Sequence, residues 1–157
     1  ISKLKLCWIG DANNNMMNSL IEVCIKFSIT LNIACPKDYQ PNEDFTSLIK
    51  KQKGKIKIFN KKEKAVKNSD VVMTDKIISL NDKVNKKKKL KSFKNFKVDT
   101  KTMNLAKKDA IFLHCLPRGN EVTEEVFLGK QSRVWQQALN RVYVQKSILL
   151  YCFGKLR

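Results

Sequence analysis

Short apolar runs alternate with amphipathic stretches along the chain. Val71–Thr74 is continuously apolar, as buried strands are, whereas Met16–Phe27 places its apolar residues at helical spacing. The predicted strands are Leu4–Ile9, Thr30–Cys35, Lys55–Phe59, Val71–Thr74 and Ala110–His114, and the predicted helices are Met16–Phe27, Phe45–Lys53, Lys62–Asn68 and Ala138–Phe153. Strands that alternate with helices predict a mostly parallel sheet with helices on both faces.

This pattern predicts an α/β fold of the Rossmann-like, three-layer type. The 157 residues fit one domain. No apolar run approaches the roughly 20 residues that a membrane span needs, and the first residues carry no signal-peptide pattern. The start of the chain lacks a Met and reads like the middle of a longer protein. The five cysteines, an odd number, favour a reducing compartment, so we expect a cytoplasmic protein that binds no membrane.

The large positive charge of the chain is weaker evidence for nucleic-acid binding than its size suggests. The net charge is +18, but 28 of the 32 basic residues are Lys and only four are Arg. Proteins that read bases and phosphates favour Arg, so nucleic acid is disfavoured as the main partner. Residues 50–108 hold 21 Lys and five acidic residues. We expect a solvated loop and helix there, and the alternative is a surface that attracts an anionic ligand.

Ligands of such folds bind beyond the carboxyl ends of the strands. Gly10 to Ser19 follows the first strand, and its Asp and Asn residues fit a tight turn with ordinary helix capping. It is not a dinucleotide fingerprint, because the second and third glycines are missing. Asp75 follows the fourth strand, where its carboxylate either points into the cleft or caps the next helix.

The fifth strand ends in His114-Cys115-Leu116-Pro117, which contains the only histidine of the chain. Adjacent residues of a strand point to opposite faces, so His114 is not placed to act as a base for Cys115. A lone histidine at a strand end has a structural role as its alternative. No cysteine pair has the spacing of a zinc or redox site, and we expect Cys7, Cys24 and Cys35 to be small core residues.

The strand-end clusters together resemble one family. The order of Gly10-Asp11, Asn14-Asn15-Met16, Asp70 to Asp75, the His-Cys-Leu-Pro tetrapeptide and Asn140-Arg141 is similar to that of the ornithine carbamoyltransferases, over about Lys3 to Ser147. The similarity is to their second, ornithine-binding domain. It implies transfer of a carbamoyl group from carbamoyl phosphate to the δ-amine of L-ornithine, giving L-citrulline and phosphate. It also implies a homotrimer and no metal or organic cofactor.

The resemblance also implies roles for particular residues. Asn15 would hold the α-carboxylate end of ornithine. Asp75 would bind the amino-acid head group, with Ser79 and the backbone of Leu80 beside it. The catalytic residues would be Cys115 and Arg141, with Cys115 and the carbonyl of Leu116 facing the δ-amine and the carbamoyl group. Arg141 would reach an oxygen of carbamoyl phosphate, and Leu116–Pro117 would be a cis bond.

Departures from the family pattern leave two alternatives open. The Ser-Met-Gly motif of the family reads Ser79-Leu80-Asn81 here, which motivates a related transcarbamylase that uses a modified ornithine or another amine. The other alternative is a non-catalytic basic domain that binds nucleic acid. The sequence contains no Ser-Thr-Arg-Thr phosphate cradle. We therefore expect residues 1–157 to be a single ornithine-binding domain without the N-terminal carbamoyl-phosphate-binding domain, and to be inactive alone.

The predicted last helix carries an apolar stripe without an obvious partner in the chain. Its members are Leu139, Val142, Tyr143, Lys146, Leu149, Leu150 and Phe153. In the resembling enzymes this helix packs on the first domain. That domain is missing here, so we expect the stripe to have no partner within the chain and residues from about Tyr143 onward to be mispacked, frayed or buried against another copy.

Overall fold

The computed structural model describes residues 1–52, 54–78 and 85–155. Its five strands form one all-parallel sheet in the order β3-β2-β1-β4-β5. The strands are β1 Lys5–Ile9, β2 Thr30–Ala34, β3 Ile56–Phe59, β4 Val71–Thr74 and β5 Ile111–His114. The helices are α1 Asn15–Lys26, α2 Glu43–Lys50, α3 Lys62–Val66, α4 Lys86–Ser92, α5 Thr100–Met103, α6 Glu124–Phe127 and α7 Val134–Cys152. The α/β prediction is confirmed.

Apolar side chains pack on both faces of the sheet. Trp8 of β1 belongs to one cluster, together with Met17 and Ile21 of α1. Val72 and Phe112 point to the other face, where they pack among residues of α3, α5 and α6. Cys7, Cys24 and Cys35 are buried in these clusters, as predicted for small core residues. Helices on both faces leave the carboxyl ends of the strands as the place where ligands can enter.

The sheet has its switch point between β1 and β4. Chain order runs outward from β1 to β2 and β3 on one side, and returns to β4 and β5 on the other. The helices that follow β1 and β4 therefore lie on opposite faces, and their connections part at this point to leave a crevice. Asp11 and Asp75, just beyond the ends of β1 and β4, are placed at its mouth.

The structure begins the last helix earlier than the sequence pattern does. Helix α7 starts at Val134, four residues before the predicted Ala138. Two hydrogen bonds to β5 fix the segment that leads into the helix. The N–H of Phe112 donates to Gln131 O at 2.8 Å, and the N–H of Arg133 donates to Phe112 O at 2.9 Å. Val134 is fully buried at the helix start. The prediction was wrong because Gln136 and Gln137 interrupt the apolar period there.

The lysine-rich segment is more ordered than expected. It contains α4, a 3-10 turn at Lys94–Phe96 and α5, and Phe93 and Phe96 are buried in the core. Lys86, Lys87 and Lys88 are exposed, which agrees with a solvated surface. Lys89 contradicts that expectation, since only 6% of it is exposed. Within the described ranges, no helix is both long enough and apolar enough to cross a membrane.

Candidate active site

A carboxylate and a thiol meet at the carboxyl edge of the sheet. Asp75 directly follows β4 and Cys115 directly follows β5, and the two strands pair in register from Val71 with Ile111 to Thr74 with His114. The Sγ of Cys115 donates to Oδ1 of Asp75 at 2.6 Å. The same oxygen accepts from the backbone N–H of Lys76 at 2.7 Å. Both side chains are half-buried, so a ligand can reach this pair.

Asp75 is not the cap of the next described helix. Helix α4 begins at Lys86, and the side chain of Asn85 caps it by accepting from Lys88 N–H at 3.2 Å. Two of the residues predicted to lie beside Asp75, Ser79 and Leu80, fall outside the described residues, and so does the rest of the Ser79-Leu80-Asn81 motif. Their roles stay predictions.

The turn after β1 presents two neighbouring asparagines in different ways. Gly10 adopts a φ of +152°, a backbone conformation that residues with a side chain rarely adopt, so glycine is favoured at this turn. Asn14 caps α1: its Oδ1 accepts from Met17 N–H and its Nδ2 donates to Asp11 O, both at 2.9 Å. Asn15 is the exposed first residue of the helix.

This arrangement uses Asn14, and not Asn15, to cap the helix, and the role of Asn15 toward a ligand stays a prediction. The side-chain oxygen of Asn14 caps α1 and its side-chain nitrogen donates to Asp11 O. This confirms the helix capping predicted for residues 10–19. The side-chain amide of Asn15 does not cap the helix. It lies at the N-terminus of α1, where the unpaired N–H groups of a helix favour an anion such as a carboxylate.

His114 has a structural role beneath the site. It is buried, and its Nε2 lies 2.9 Å from Oε1 of Glu121, which is buried too. Its Nδ1 contacts the backbone oxygen of Cys115. Glu121 also accepts from the N–H of Gly119 at 2.6 Å, so this pair closes the loop that carries Cys115. The Leu116–Pro117 bond within that loop is cis, which confirms the prediction.

The two members of this pair shift each other's pKa in opposite directions. Burial disfavours the charged form of His114, but its hydrogen bonds to Cys115 and Glu121 outweigh burial and raise its pKa to about 10. Burial likewise acts to raise the pKa of Glu121, and the hydrogen bonds from His114 and Gly119 reverse this and lower it. At neutral pH the pair is an imidazolium and a carboxylate.

Helix α7 is tied to the same edge through Gln137. Its Oε1 accepts from the backbone N–H of His114 at 3.0 Å. Arg141 lies one turn further along the helix and therefore on the same face as Gln137. Arg141 is exposed, so the structure leaves its guanidinium accessible at this side of the domain. Leu116 is also exposed, at 43%.

Three residues that shape the site went unrecognised in the sequence. Glu121 and Gln137 hold the loop and helix around Cys115, and Lys89 lies 2.7 Å from Asp11 across the crevice. No local pattern marks these residues, since each is recognisable only through a partner that folding brings close. Among the residues that the structure describes, no group of three or more His, Cys, Asp or Glu is placed to hold a metal ion.

The fold and this edge define a small-molecule-binding domain of the doubly wound α/β class. A family model described as aspartate/ornithine carbamoyltransferase, Asp/Orn binding domain, matches residues 2–152. The chain belongs to this family, which confirms the resemblance seen in its sequence.

Individual relatives agree with that assignment. The ornithine carbamoyltransferase of Ruthia magnifica is 42% identical over 153 residues, and that of a Nitratiruptor species is 43% identical over 152 residues. The alignments take in 96% and 93% of this chain but 50% and 49% of the relatives. The solved anabolic ornithine carbamoyltransferase of Campylobacter jejuni matches with a TM-score of 0.85 and 37% identity, covering 97% of this chain and 52% of its own. The chain thus spans about half the length of the curated relatives it matches.

Proposed function

We propose that this chain is the ornithine-binding half of an ornithine carbamoyltransferase. The observation that carries the proposal is the contact between Cys115 and Asp75 at the carboxyl ends of β5 and β4, beside the switch point of the sheet. An ammonium group that enters the crevice meets a carboxylate to pair with and a thiol beside it. Membership of the aspartate/ornithine carbamoyltransferase family and the names of the relatives support ornithine as the amine.

The reaction would transfer one carbamoyl group and take two protons from the δ-nitrogen. The δ-amine of ornithine is protonated near pH 7, because its pKa is close to that of Lys, ~10.4. It must lose one proton before its nitrogen attacks the carbamoyl carbon. A C–N bond then forms, the C–O bond to phosphate breaks with its electron pair going to phosphate, and the second proton passes from the nitrogen to the leaving phosphate. The products are citrulline and phosphate.

The residues of the crevice fit the parts of this reaction. Asp75 pairs with an ammonium of ornithine, and Asn15 hydrogen-bonds its α-carboxylate at the start of α1. Cys115 and the carbonyl of Leu116 hold the δ-amine on the line of attack and help balance its proton. Arg141 stabilises the negative charge that builds on the carbamoyl oxygen. Ser79 and the backbone of Leu80 complete the ornithine subsite in this proposal.

Carbamoyl phosphate would need a second domain. The chain spans about half of its relatives and contains no Ser-Thr-Arg-Thr stretch. We therefore expect the 157 residues to bind ornithine weakly and not to turn over alone. The homotrimer and the cytoplasmic location belong to the same proposal, and a reducing compartment keeps the half-buried thiol of Cys115 available.

Calorimetry with L-ornithine tests the proposal. The wild-type chain should release heat on binding ornithine and should bind L-aspartate far less, because a second carboxylate faces Asp75. Asp75→Asn should abolish the ornithine signal, whereas Asp38→Asn, which changes an exposed carboxylate, should leave it unchanged. Equal binding by the two variants would remove Asp75 from the site.

The two alternatives give different results in the same assay. A transcarbamylase for another amine would give no heat with ornithine and a signal with the modified amine. A nucleic-acid-binding domain would bind DNA with an affinity that falls steeply as salt rises. Either result would replace the proposed function.

A further inference from the structure

Lys89 differs from the other lysines around it. Lys86, Lys87 and Lys88 are exposed, whereas Lys89 is 6% exposed. Its Nζ lies 2.7 Å from Oδ2 of Asp11 and 5.6 Å from the centre of the Tyr39 ring. A buried ammonium is costly unless a carboxylate compensates it, so this ion pair helps to hold helix α4 to the end of β1.

Asp11, the partner of Lys89, organises the turn that leads to Asn15. Its Oδ1 accepts from the N–H of Asn13 at 2.9 Å. Its backbone oxygen accepts from Trp8 Nε1 at 3.1 Å and from Asn14 Nδ2 at 2.9 Å. Asn14 in turn caps α1, so the start of that helix is set by contacts that converge on Asp11.

The two carboxylates at the switch point are therefore in different states of pairing. Asp11 and Asp75 follow neighbouring parallel strands and lie at the same edge of the sheet. Asp11 is buried and ion-paired with Lys89, while Asp75 is half-buried and accepts a hydrogen bond from Cys115. An incoming ammonium thus finds its countercharge at Asp75, and the carboxylate of Asp11 stays committed to the turn.

Building on the proposed function, we propose that Asp11 and Lys89 are positioning residues that set the affinity for ornithine without touching it. Their ion pair holds the turn that presents Asn15 and keeps a second carboxylate from competing for the ammonium of the ligand. The pair acts as a unit, because removing either partner takes from the other a charge that compensates for its burial.

A double-mutant cycle on the 157-residue chain tests this proposal, with L-ornithine as the titrant in calorimetry. Lys89→Met and Asp11→Asn should each weaken ornithine binding about tenfold, which corresponds to about 1.4 kcal/mol of binding free energy. The double variant should lose about as much as one single variant, and not the product of the two. Lys89→Arg should bind ornithine nearly as the wild type does. Lys87→Met, in the same lysine run but exposed, is the matched control.

An NMR measurement separates positioning from general loss of stability. The amide resonance of Asn13, which reports its bond to Asp11, should shift in Lys89→Met and remain in place in Lys87→Met. If Lys89→Met does not fold, the ornithine affinity of Asp11→Asn tests the proposal by itself. This variant should fold, because the amide oxygen of an asparagine can still accept from the N–H of Asn13.

The possible failures are distinguishable. Absence of ornithine binding by the wild type would overturn the proposed function and this inference with it. Wild-type binding together with unchanged affinity in Lys89→Met and Asp11→Asn would overturn the inference alone. Losses that multiply in the double variant would also overturn it, because the two residues would then act independently.

Discussion

The backbone N–H of His114 donates to the side chain of Gln137 at 3.0 Å, and this bond joins β5, which precedes Cys115, to the last helix. The two residues proposed for catalysis lie close to this bond, since Cys115 follows His114 and Arg141 follows Gln137 by one turn. The relative placement of the thiol and the guanidinium therefore depends on the side-chain amide of Gln137, which lies outside the His-Cys-Leu-Pro tetrapeptide.

Replacing Gln137 should therefore affect stability and activity together. Gln137→Leu leaves the N–H of His114 without its acceptor, which costs about 1–3 kcal/mol in the free energy of unfolding. Urea unfolding measures the loss. Gln136→Leu is the control, because Gln136 is exposed and bonds only to Asn140 among the contacts that the structure describes. Similar losses in both variants would contradict the role of the bond.

Cys115→Ser should lower turnover and spare the fold. The measurement joins this chain to the carbamoyl-phosphate-binding half of a relative and follows citrulline formation. Loss of one positioned proton-handling group costs about 10²–10⁴-fold in rate. Cys152→Ser is the control, because Cys152 is exposed at the end of α7. Unchanged citrulline formation in Cys115→Ser would exclude a catalytic role for the thiol.

The buried pair of His114 and Glu121 should make stability depend on pH. The folded chain keeps its proton on His114 from the ordinary value of 6.5 up to about 10, so the contribution is complete below 6.5 and is lost as pH rises through that range. The lowered pKa of Glu121 adds a contribution that is present above its ordinary value of 4.5 and is lost as pH falls.

The variant Glu121→Gln tests this dependence. Its loss of stability relative to wild type should be greatest between the ordinary values of the two groups, 4.5 and 6.5, and should shrink towards alkaline pH. Urea unfolding at a series of pH values measures it. Glu22→Gln, on the exposed face of α1, should show no such profile. A loss that stays constant with pH would mean that the pair is not charged in the folded chain.

The exposed face of α7 should drive self-association. The expectation of a stripe without a partner in the chain is confirmed for most of its members, whereas the expected fraying is wrong, since α7 continues as a helix to Cys152. Those exposed by more than a third include Leu139, Val142, Tyr143, Leu149 and Phe153, while Leu150 is partly buried. Burying one Leu or Phe is worth about 1.5–3 kcal/mol, so several together favour association.

Light scattering over a range of concentrations measures this association. Leu149→Ser with Phe153→Ser should weaken it, whereas Gln145→Ser, a polar change on the same helix, should not. A wild-type chain that stays monomeric at high concentration would contradict the prediction.

The local elements of the fold could be predicted because their signals are local. Val71–Thr74 is a strand with the predicted bounds, and β1 differs from its prediction by one residue. The order of the strands could not be read from the apolar pattern, since it depends on which way each crossover passes the sheet. The start of helix α7 was predicted too late, because glutamine is typical of exposed positions, whereas Gln137 accepts a hydrogen bond from His114 of β5.

The site was predictable only where the residues form a contiguous motif. The tetrapeptide around Cys115 and the position of Asp75 after a strand were both visible, and their contact follows from neighbouring parallel strands. Lys89 was not, because a lysine within a run of lysines has the pattern of a solvated surface. Its burial depends on Asp11, which lies far upstream and becomes its neighbour only when β1 and α4 meet.

The path of the chain into α7 has a further consequence, for aggregation. β5 is the last strand of the sheet, and a free border of this kind can recruit strands from other molecules. Residues 131 to 133 cover it by bonding both backbone groups of Phe112. The segment that leads into α7 thus also shields the border, so substitutions that loosen it should promote intermolecular β-sheet.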